Sequence, residues 1–161
     1  MDEEDSRRLR ESREWIQRSV IGGDREFSKQ FFSTDISTEE LIQRYESGER
    51  NFCDIGLTRL DLSNVNLAGV NLAGAKLRGA NLTGANLADA NLSHAYLICA
   101  NLTRANLSGA NLTWAILVGA NLENTNLRGS TFRYVQQNMA VYCNTIMPDG
   151  SIEVGPYTYY G

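Results

Sequence analysis

Cysteine is scarce. Cys53, Cys99 and Cys143 are the only three, too few and too far apart for a disulfide framework or a zinc site. Histidine is scarcer, with His94 alone. No stretch approaches the ~20 consecutive apolar residues of a membrane-spanning helix. The opening Met1-Asp2-Glu3-Glu4-Asp5 lacks the apolar core of a secretory signal. The expectation is a cytoplasmic protein with no membrane association. With 161 residues, 42% hydrophobic content and a mean hydropathy of −0.32, the chain has room for one domain and a modest extension.

The net charge of −4 conceals a segregation. Residues 1–49 carry 13 acidic and 8 basic side chains, whereas residues 50–134 carry 4 acidic and 7 basic ones. Past residue 134 the only charges are Asp149 and Glu153. The middle of the chain is mildly basic and both ends are acidic.

What the middle has in abundance is repetition, with a period of five. From Phe52 to Phe132 every fifth residue is Leu or Phe: fifteen Leu and two Phe in seventeen positions. Two residues before this centre, Ala holds ten successive positions from Ala75 to Ala120, after the bulkier Ile55, Leu60, Val65 and Val70. One residue before it, Asn occurs eleven times; two after it, Gly occurs seven times. Five fits neither a helix nor a plain strand. In an extended segment the centre and the residue two before it share a face, so Leu and Ala point inward and Asn points out. Because five is odd, a straight strand would turn the next Leu outward. The chain must bend once per pentad. Gly, Asn or Asp fills eleven of the seventeen positions two past the centre, the types that tolerate the positive φ of a turn. The bulkier residues at 55–70 predict a wider first coil.

This pattern resembles the pentapeptide-repeat family, whose motif is roughly A-(N/D)-L-x-x, and the resemblance covers about half the chain, from Arg50 to Tyr134. It implies an all-β solenoid: a right-handed, quadrilateral β-helix with four pentads per coil and about four coils. The expected organisation is a helical N-terminal extension and cap over residues 1–49, the solenoid over 50–134, and a C-terminal cap, hairpin and tail over 135–161. Such a solenoid needs covers at both ends. Ser37-Thr38-Glu39-Glu40 reads as a capping box opening a helix with Leu41, Ile42 and Tyr45 on its apolar face and Gly48 at its end. Two further helices are expected over residues 5–21 and 24–32. Pro148-Asp149-Gly150, between Ile146 and Ile152, predicts a hairpin.

Catalytic chemistry finds no footing. His94 and Cys99 fall on successive corners, which separates them beyond the contact a nucleophilic pair needs. Asp54, Asp61 and Asp89 are isolated from one another, so no carboxylate pair is set for acid–base work. The glycines lack the strand–loop–helix setting and the Lys of a phosphate loop. The Asn column is expected to form stacked amide bonds between coils. Neither an enzyme, a metal nor a cofactor is indicated.

The leading reading is a non-enzymatic protein-interaction scaffold with an unidentified protein partner, in a bacterial regulatory or stress pathway; a monomer is favoured over a dimer. The alternative that the resemblance raises is a DNA mimic directed at a topoisomerase. That role calls for an acidic rod, and Asp61 is the single acid in the Asn column. Nucleic acid is disfavoured as a partner because seven scattered cations form no clustered basic stripe. The candidate interaction face comes from residues twenty apart. Tyr96 and Ile116 take the Asn position, Ile98 and Val118 lie two further on, and His94 and Trp114 fill the preceding corner. A contiguous exposed apolar patch of this kind calls for a cover. One cover is the chain itself, through Trp15, Phe27, Phe31 and Phe32 or through Tyr157, Tyr159 and Tyr160, the N-terminal helices being preferred; the other is a partner.

Cys53 and Cys99 belong to different coils, about two rungs or ~10 Å apart along the axis, beyond the ~7 Å Cα limit for a bridge. Titration of the denatured, unreduced protein should find three free thiols; finding one would refute this assignment.

Overall fold

The computed structural model describes residues 36–155 and the backbone of 157 and 158. The chain divides into two compact units, residues 1–34 and 35–161, and the described residues belong to the second. The two helices expected over 5–21 and 24–32 lie outside the described residues.

Parallel bridges join residues twenty apart throughout the second unit, from Asn51↔Asn71 to Asn126↔Ile146. Four pentads therefore close one coil, and the solenoid has four sides. Side 1 carries Asn51, Asn71, Asn91, Asn111 and Thr131 at the bridging position; side 2 carries Gly56, Lys76, Tyr96, Ile116 and Gln136. Side 3 carries Asp61, Asn81, Asn101, Asn121 and Val141, and side 4 carries Asn66, Asn86, Asn106, Asn126 and Ile146.

The register follows the pentad. Phe52 and every centre from Leu57 to Leu127 are buried, and Phe132 packs half-buried against them. The row from Ala75 to Ala120 is buried beside the leucines. Every position two past the centre, from Asp54 to Asn144, has a positive φ, nineteen in succession. Twelve of these are not glycine. At each corner from Val65 on to Ser130, the N–H three past the centre donates to the centre's own carbonyl. With its third residue left-handed, this is the pattern of a type II turn.

The first coil is looser at its corners, as its bulkier inward residues require. The corner bond is 3.4 Å long at Leu60 and Val65 and 3.2 Å at Val70, against 2.9–3.1 Å from Ala75 through Ala120. Thr125 and Ser130, also larger than Ala, keep corner bonds of 3.0 and 2.9 Å, so the lengthening goes with the bulky apolar residues of the first coil and not with size alone.

The coils do not stop at Tyr134. The ladder continues through Ile116↔Gln136, Asn121↔Val141 and Asn126↔Ile146, giving five rungs on every side instead of about four. The boundary at 134 is thus corrected: residues 135–147 form most of a fifth coil. Its inward positions are Val135, Gln137, Ala140, Tyr142, Thr145 and Met147, of which Ala140, Tyr142 and Thr145 are buried. Backbone pairing to the coil beneath does not depend on a Leu at the centre, and the last coil has no further coil above it. A Tyr therefore fits, with its hydroxyl donating to Gln137 Oε1 at 2.7 Å.

Both ends are covered. Helix α1 (Thr38–Glu46) starts at Ser37, whose Oγ accepts from the Glu40 N–H at 3.1 Å. It buries Leu41, and Ile36 and Tyr45 pack against the core. Tyr45 Oη donates to Ala68 O at 2.7 Å and Thr38 Oγ1 to Asp61 O at 2.9 Å, carbonyls of the first coil that no coil beneath could reach. Arg44 forks onto Glu49 at 2.9 and 2.7 Å and holds that carboxyl below the usual range. At the other end, strand β1 (Val141–Tyr142) pairs antiparallel with β4 (Tyr157–Thr158), and β2 (Thr145–Ile146) with β3 (Ile152–Glu153). The expected hairpin over Pro148-Asp149-Gly150 is β2–β3, its turn closed by Gly150 N–H to Met147 O at 2.9 Å.

Three inward hydroxyls replace Ala near the C-terminal end. Thr125 Oγ1 donates to Leu102 O at 2.7 Å and Thr145 Oγ1 to Leu122 O at 2.6 Å, one coil below in each case. Ser130 occupies the same register, but its buried Oγ has no partner. Thr125→Val should therefore cost about 1 kcal/mol, while Ser130→Ala should leave stability unchanged or raise it by about as much. Guanidinium denaturation of the two variants separates these expectations by the sign of the midpoint shift.

Candidate interaction face

Sides 1 and 4 bond their outward amides to each other from coil to coil, and side 3 does so at its first step only. On side 1, Asn71 Nδ2 donates to Asn51 Oδ1 and Asn91 Nδ2 to Asn71 Oδ1, both at 3.0 Å, and Asn111 continues to Asn91 at 3.4 Å. On side 4, Asn86, Asn106 and Asn126 run the same ladder down to Asn66 at 2.9–3.2 Å. On side 3, Asn81 Nδ2 donates to Asp61 Oδ1 at 2.9 Å. Most of these carbonyl oxygens also accept from the backbone N–H two residues on, as Asn91 does from Ser93 at 3.1 Å. The amides are thus bound to the rod on both sides. Asp61 has joined this scheme rather than an acid–base site: the Ser63 hydroxyl, the Ser63 N–H and Asn81 hold its carboxyl below the ordinary range.

Side 2 has no such ladder. Its outward rungs are Gly56, Lys76, Tyr96, Ile116 and Gln136, and the positions two further on are Thr58, Arg78, Ile98, Val118 and Asn138. Tyr96 is 45% exposed, and Ile98, Ile116 and Val118 are half-buried beside it.

The corner between sides 1 and 2 carries Asp54, Gly74, His94, Trp114 and Tyr134, every one of them with positive φ. Corner side chains lean along the axis toward the next coil. Beneath Gly74 and Gly109, the Asp54 and Asp89 carboxylates occupy the place a Cβ would need, so glycine there serves a close approach as well as the turn. The aromatic rungs solve the crowding differently, by lying flat. His94 stacks beneath Trp114 with centroids 6.5 Å apart and planes 9° apart, and Trp114 stacks on Tyr134 at 4.4 Å and 17°. Trp114 is 50% exposed and Tyr134 68%. On the far corner, between sides 2 and 3, Met139 is exposed above Gly119 and Cys99.

The structure therefore brings His94, Tyr96, Ile98, Trp114, Ile116 and Val118 together on one side and its leading corner. Sequence reasoning left Met139 and the Tyr134 ring out of the face. His94 and Cys99 stand on opposite corners of side 2, and all three cysteines are free. The aromatics at 15, 27, 31 and 32, and the side chains of 157, 159 and 160, lie outside the described residues. The backbone of Tyr157 pairs with Tyr142, at the last rung of side 3. Among the described residues no cluster of His, Cys, Asp and Glu is arranged to hold a metal ion, and no helix is long and apolar enough to cross a membrane.

A family profile of pentapeptide repeats matches in eight copies, over residues 57–84, 85–124 and 105–136. Among solved structures, the chain is similar to Alr5209, a pentapeptide-repeat protein from Nostoc PCC 7120. The identity is 37% over 62% of this chain and 94% of that one, with a TM-score of 0.39. A thylakoid-lumen pentapeptide-repeat protein of Arabidopsis thaliana matches at 27% identity over 58% and 66% of the two chains, with a TM-score of 0.36. QnrB1, a plasmid-mediated fluoroquinolone resistance protein, matches at 21% identity over 63% and 59%, with a TM-score of 0.42. No curated protein matches.

If the outward residues of side 2 are dispensable to the fold, Asn should replace them at no loss. Tyr96→Asn with Ile116→Asn creates one more rung of amide ladder. The pair should shift stability by no more than about 1 kcal/mol, a value set by a net hydrogen bond against lost apolar contact. Unfolding midpoints of the double variant and the parent measure this directly; a loss of several kcal/mol would mean that the stripe is structural.

Proposed function

Because this chain belongs to the pentapeptide-repeat family, whose members are generally non-enzymatic interaction scaffolds wound as right-handed β-solenoids, we propose that it is a rigid scaffold that docks a partner protein on side 2. One observation carries the reading: side 2 alone has no Asn or Asp at any outward rung and puts Tyr96 and Ile116 there. On the other three sides outward Asn side chains bond to neighbouring amides or to the backbone two residues on. On side 2 the exposed Tyr96, with Trp114 on the corner beside it, is of the aromatic kind that concentrates at protein interfaces.

The leading corner supports the same reading. A non-glycine residue in the left-handed conformation costs roughly 1 kcal/mol, and for bulky side chains the conformation is a genuine outlier. Ring stacking returns about 0.5–1.5 kcal/mol per pair. The two stacked pairs thus offset part of the cost of three non-glycine corners while presenting three rings side by side. Enzyme chemistry has no comparable support, since His94 and Cys99 occupy different corners. Acidic mimicry of DNA is opposed by the ladder itself, in which amides stand where carboxylates would be needed.

Photo-crosslinking in the source cell tests the assignment by side. A benzophenone amino acid placed at Tyr96 or Ile98 should give a discrete protein adduct, and the same group at Asn101 or Asn121 on side 3 should not. Equal yields from both sides, or none from side 2, would remove the docking face. A gyrase supercoiling assay with the purified chain should show neither inhibition nor protection, and either effect would favour the topoisomerase reading instead.

A further inference from the structure

Side 2 is graded along its axis. Its first two rungs bring exposed Lys76 and Arg78, and exposed Arg59 stands on the trailing corner. The third and fourth rungs are the apolar patch of Tyr96, Ile98, Ile116 and Val118, and the fifth returns to the uncharged Gln136 and Asn138. No carboxylate stands on side 2 or on its trailing corner, and Asp54 is the single one on the leading corner. Among the described residues no ion pair engages these cations, which face outward next to an apolar platform.

Backbone pairing restricts what can bind there. On side 2 the N–H groups of Leu77 and Tyr96 donate to Tyr96 O and Ala75 O, and those of Leu97 and Ile116 to Ile116 O and Ala95 O. The ladder groups of side 2 are satisfied within the solenoid, so the side offers no edge to which a strand could be added. An occupant must bind through side chains alone. Ile116, on the far rung of the apolar patch, lies two rungs, or ~10 Å, from Lys76. That separation matches residues seven apart on a helix, at ~1.5 Å per residue. Aliphatic Ile98, Ile116 and Val118 give nucleic-acid bases little to stack on, whereas apolar side chains of a helix pack against them well.

From the proposal that side 2 is the docking face, on which this step rests, we infer the chemistry of the partner: an acidic amphipathic helix. Its apolar residues sit on Tyr96, Ile116 and the Trp114 ring, and carboxylates about two turns away meet Lys76, Arg78 and Arg59.

The probe is a phage-displayed library of random sixteen-residue peptides. It is selected on the full-length chain and counter-selected on a Tyr96→Asn, Ile116→Asn, Trp114→Gly variant, whose substitutions all occur at equivalent positions elsewhere in the rod. Enriched peptides should combine Asp or Glu with apolar residues at helical spacing. In fluorescence polarisation their affinity should fall about tenfold or more with Lys76→Glu and Arg78→Glu together, and should weaken as salt is raised. Peptides that depend on Tyr96 and Ile116 but carry no acidic bias, or that ignore the charge reversal, would overturn the acidic helix and leave the docking face standing. Absence of any peptide dependent on Tyr96 and Ile116 would count against both. Tight binding of a fluorescein-labelled oligothymidine that is lost with Trp114→Gly would also overturn the inference, by making the stacked rings a nucleic-acid platform.

Discussion

Everything in this solenoid depends on one left-handed residue in every five. An odd period would otherwise alternate the leucines between core and solvent, and the corner resets the chain so that each centre points inward again. Nineteen successive corners take that conformation, twelve of them without glycine, so the turn is imposed by the coil as much as by local preference. The Ala row follows from it. Four corners per coil bring four leucines into a narrow interior where Ala fits beside them, and the corner bonds are longest in the first coil, at the bulkier Leu60, Val65 and Val70. The outward Asn follows too, since bridging positions twenty apart come to rest directly above each other and their amides can bond along the axis.

A ladder of this kind is satisfied everywhere except at its ends, and the two ends are solved by different means. At the first coil an amphipathic helix supplies Leu41 to the core and hydroxyls of Thr38 and Tyr45 to open carbonyls. At the last coil the chain turns back on itself, pairing β2 with β3 and β1 with β4 antiparallel. Reversing strand direction stops propagation: a strand laid antiparallel over the last rung no longer presents the parallel, twenty-residue register on which another coil would grow.

The core was legible in the sequence because the repeat is redundant, and Leu97 and Ala95 each say the same thing as many others. The helix at Ser37 and the turn at Pro148 were legible from their own local chemistry. What escaped were features with no repeated signature. The fifth coil has Gln137 and Tyr142 at its centres, so a reading anchored on Leu and Phe ended at Tyr134, although backbone pairing went on. The Thr residues at 125 and 145 carry no sequence signature of their own, and only the geometry shows each hydroxyl reaching a carbonyl one coil below. The columns of side 2 were readable once four pentads were taken per coil, because position twenty apart is position above. The flat stacking of His94, Trp114 and Tyr134 was not readable, since it depends on ring orientation at corners where other columns hold a side chain against a glycine.

A fold this strongly specified by its inward residues leaves its outward ones free to vary, and the variation is uneven. Sides 1 and 4 return the freedom to the rod as amide bonds between coils, and side 3 returns it mostly as bonds to its own backbone. Side 2 keeps it, placing rings and aliphatic side chains where Asn would have bonded and cations on the rungs before them. Exposed apolar residues scattered singly would carry no meaning, because every soluble protein has them. Here they share one side and its corner, on adjacent rungs, with fixed spacing set by the ladder beneath. For the docking proposed on side 2, contacts already held in position would leave little ordering entropy on this side of the interface to oppose binding.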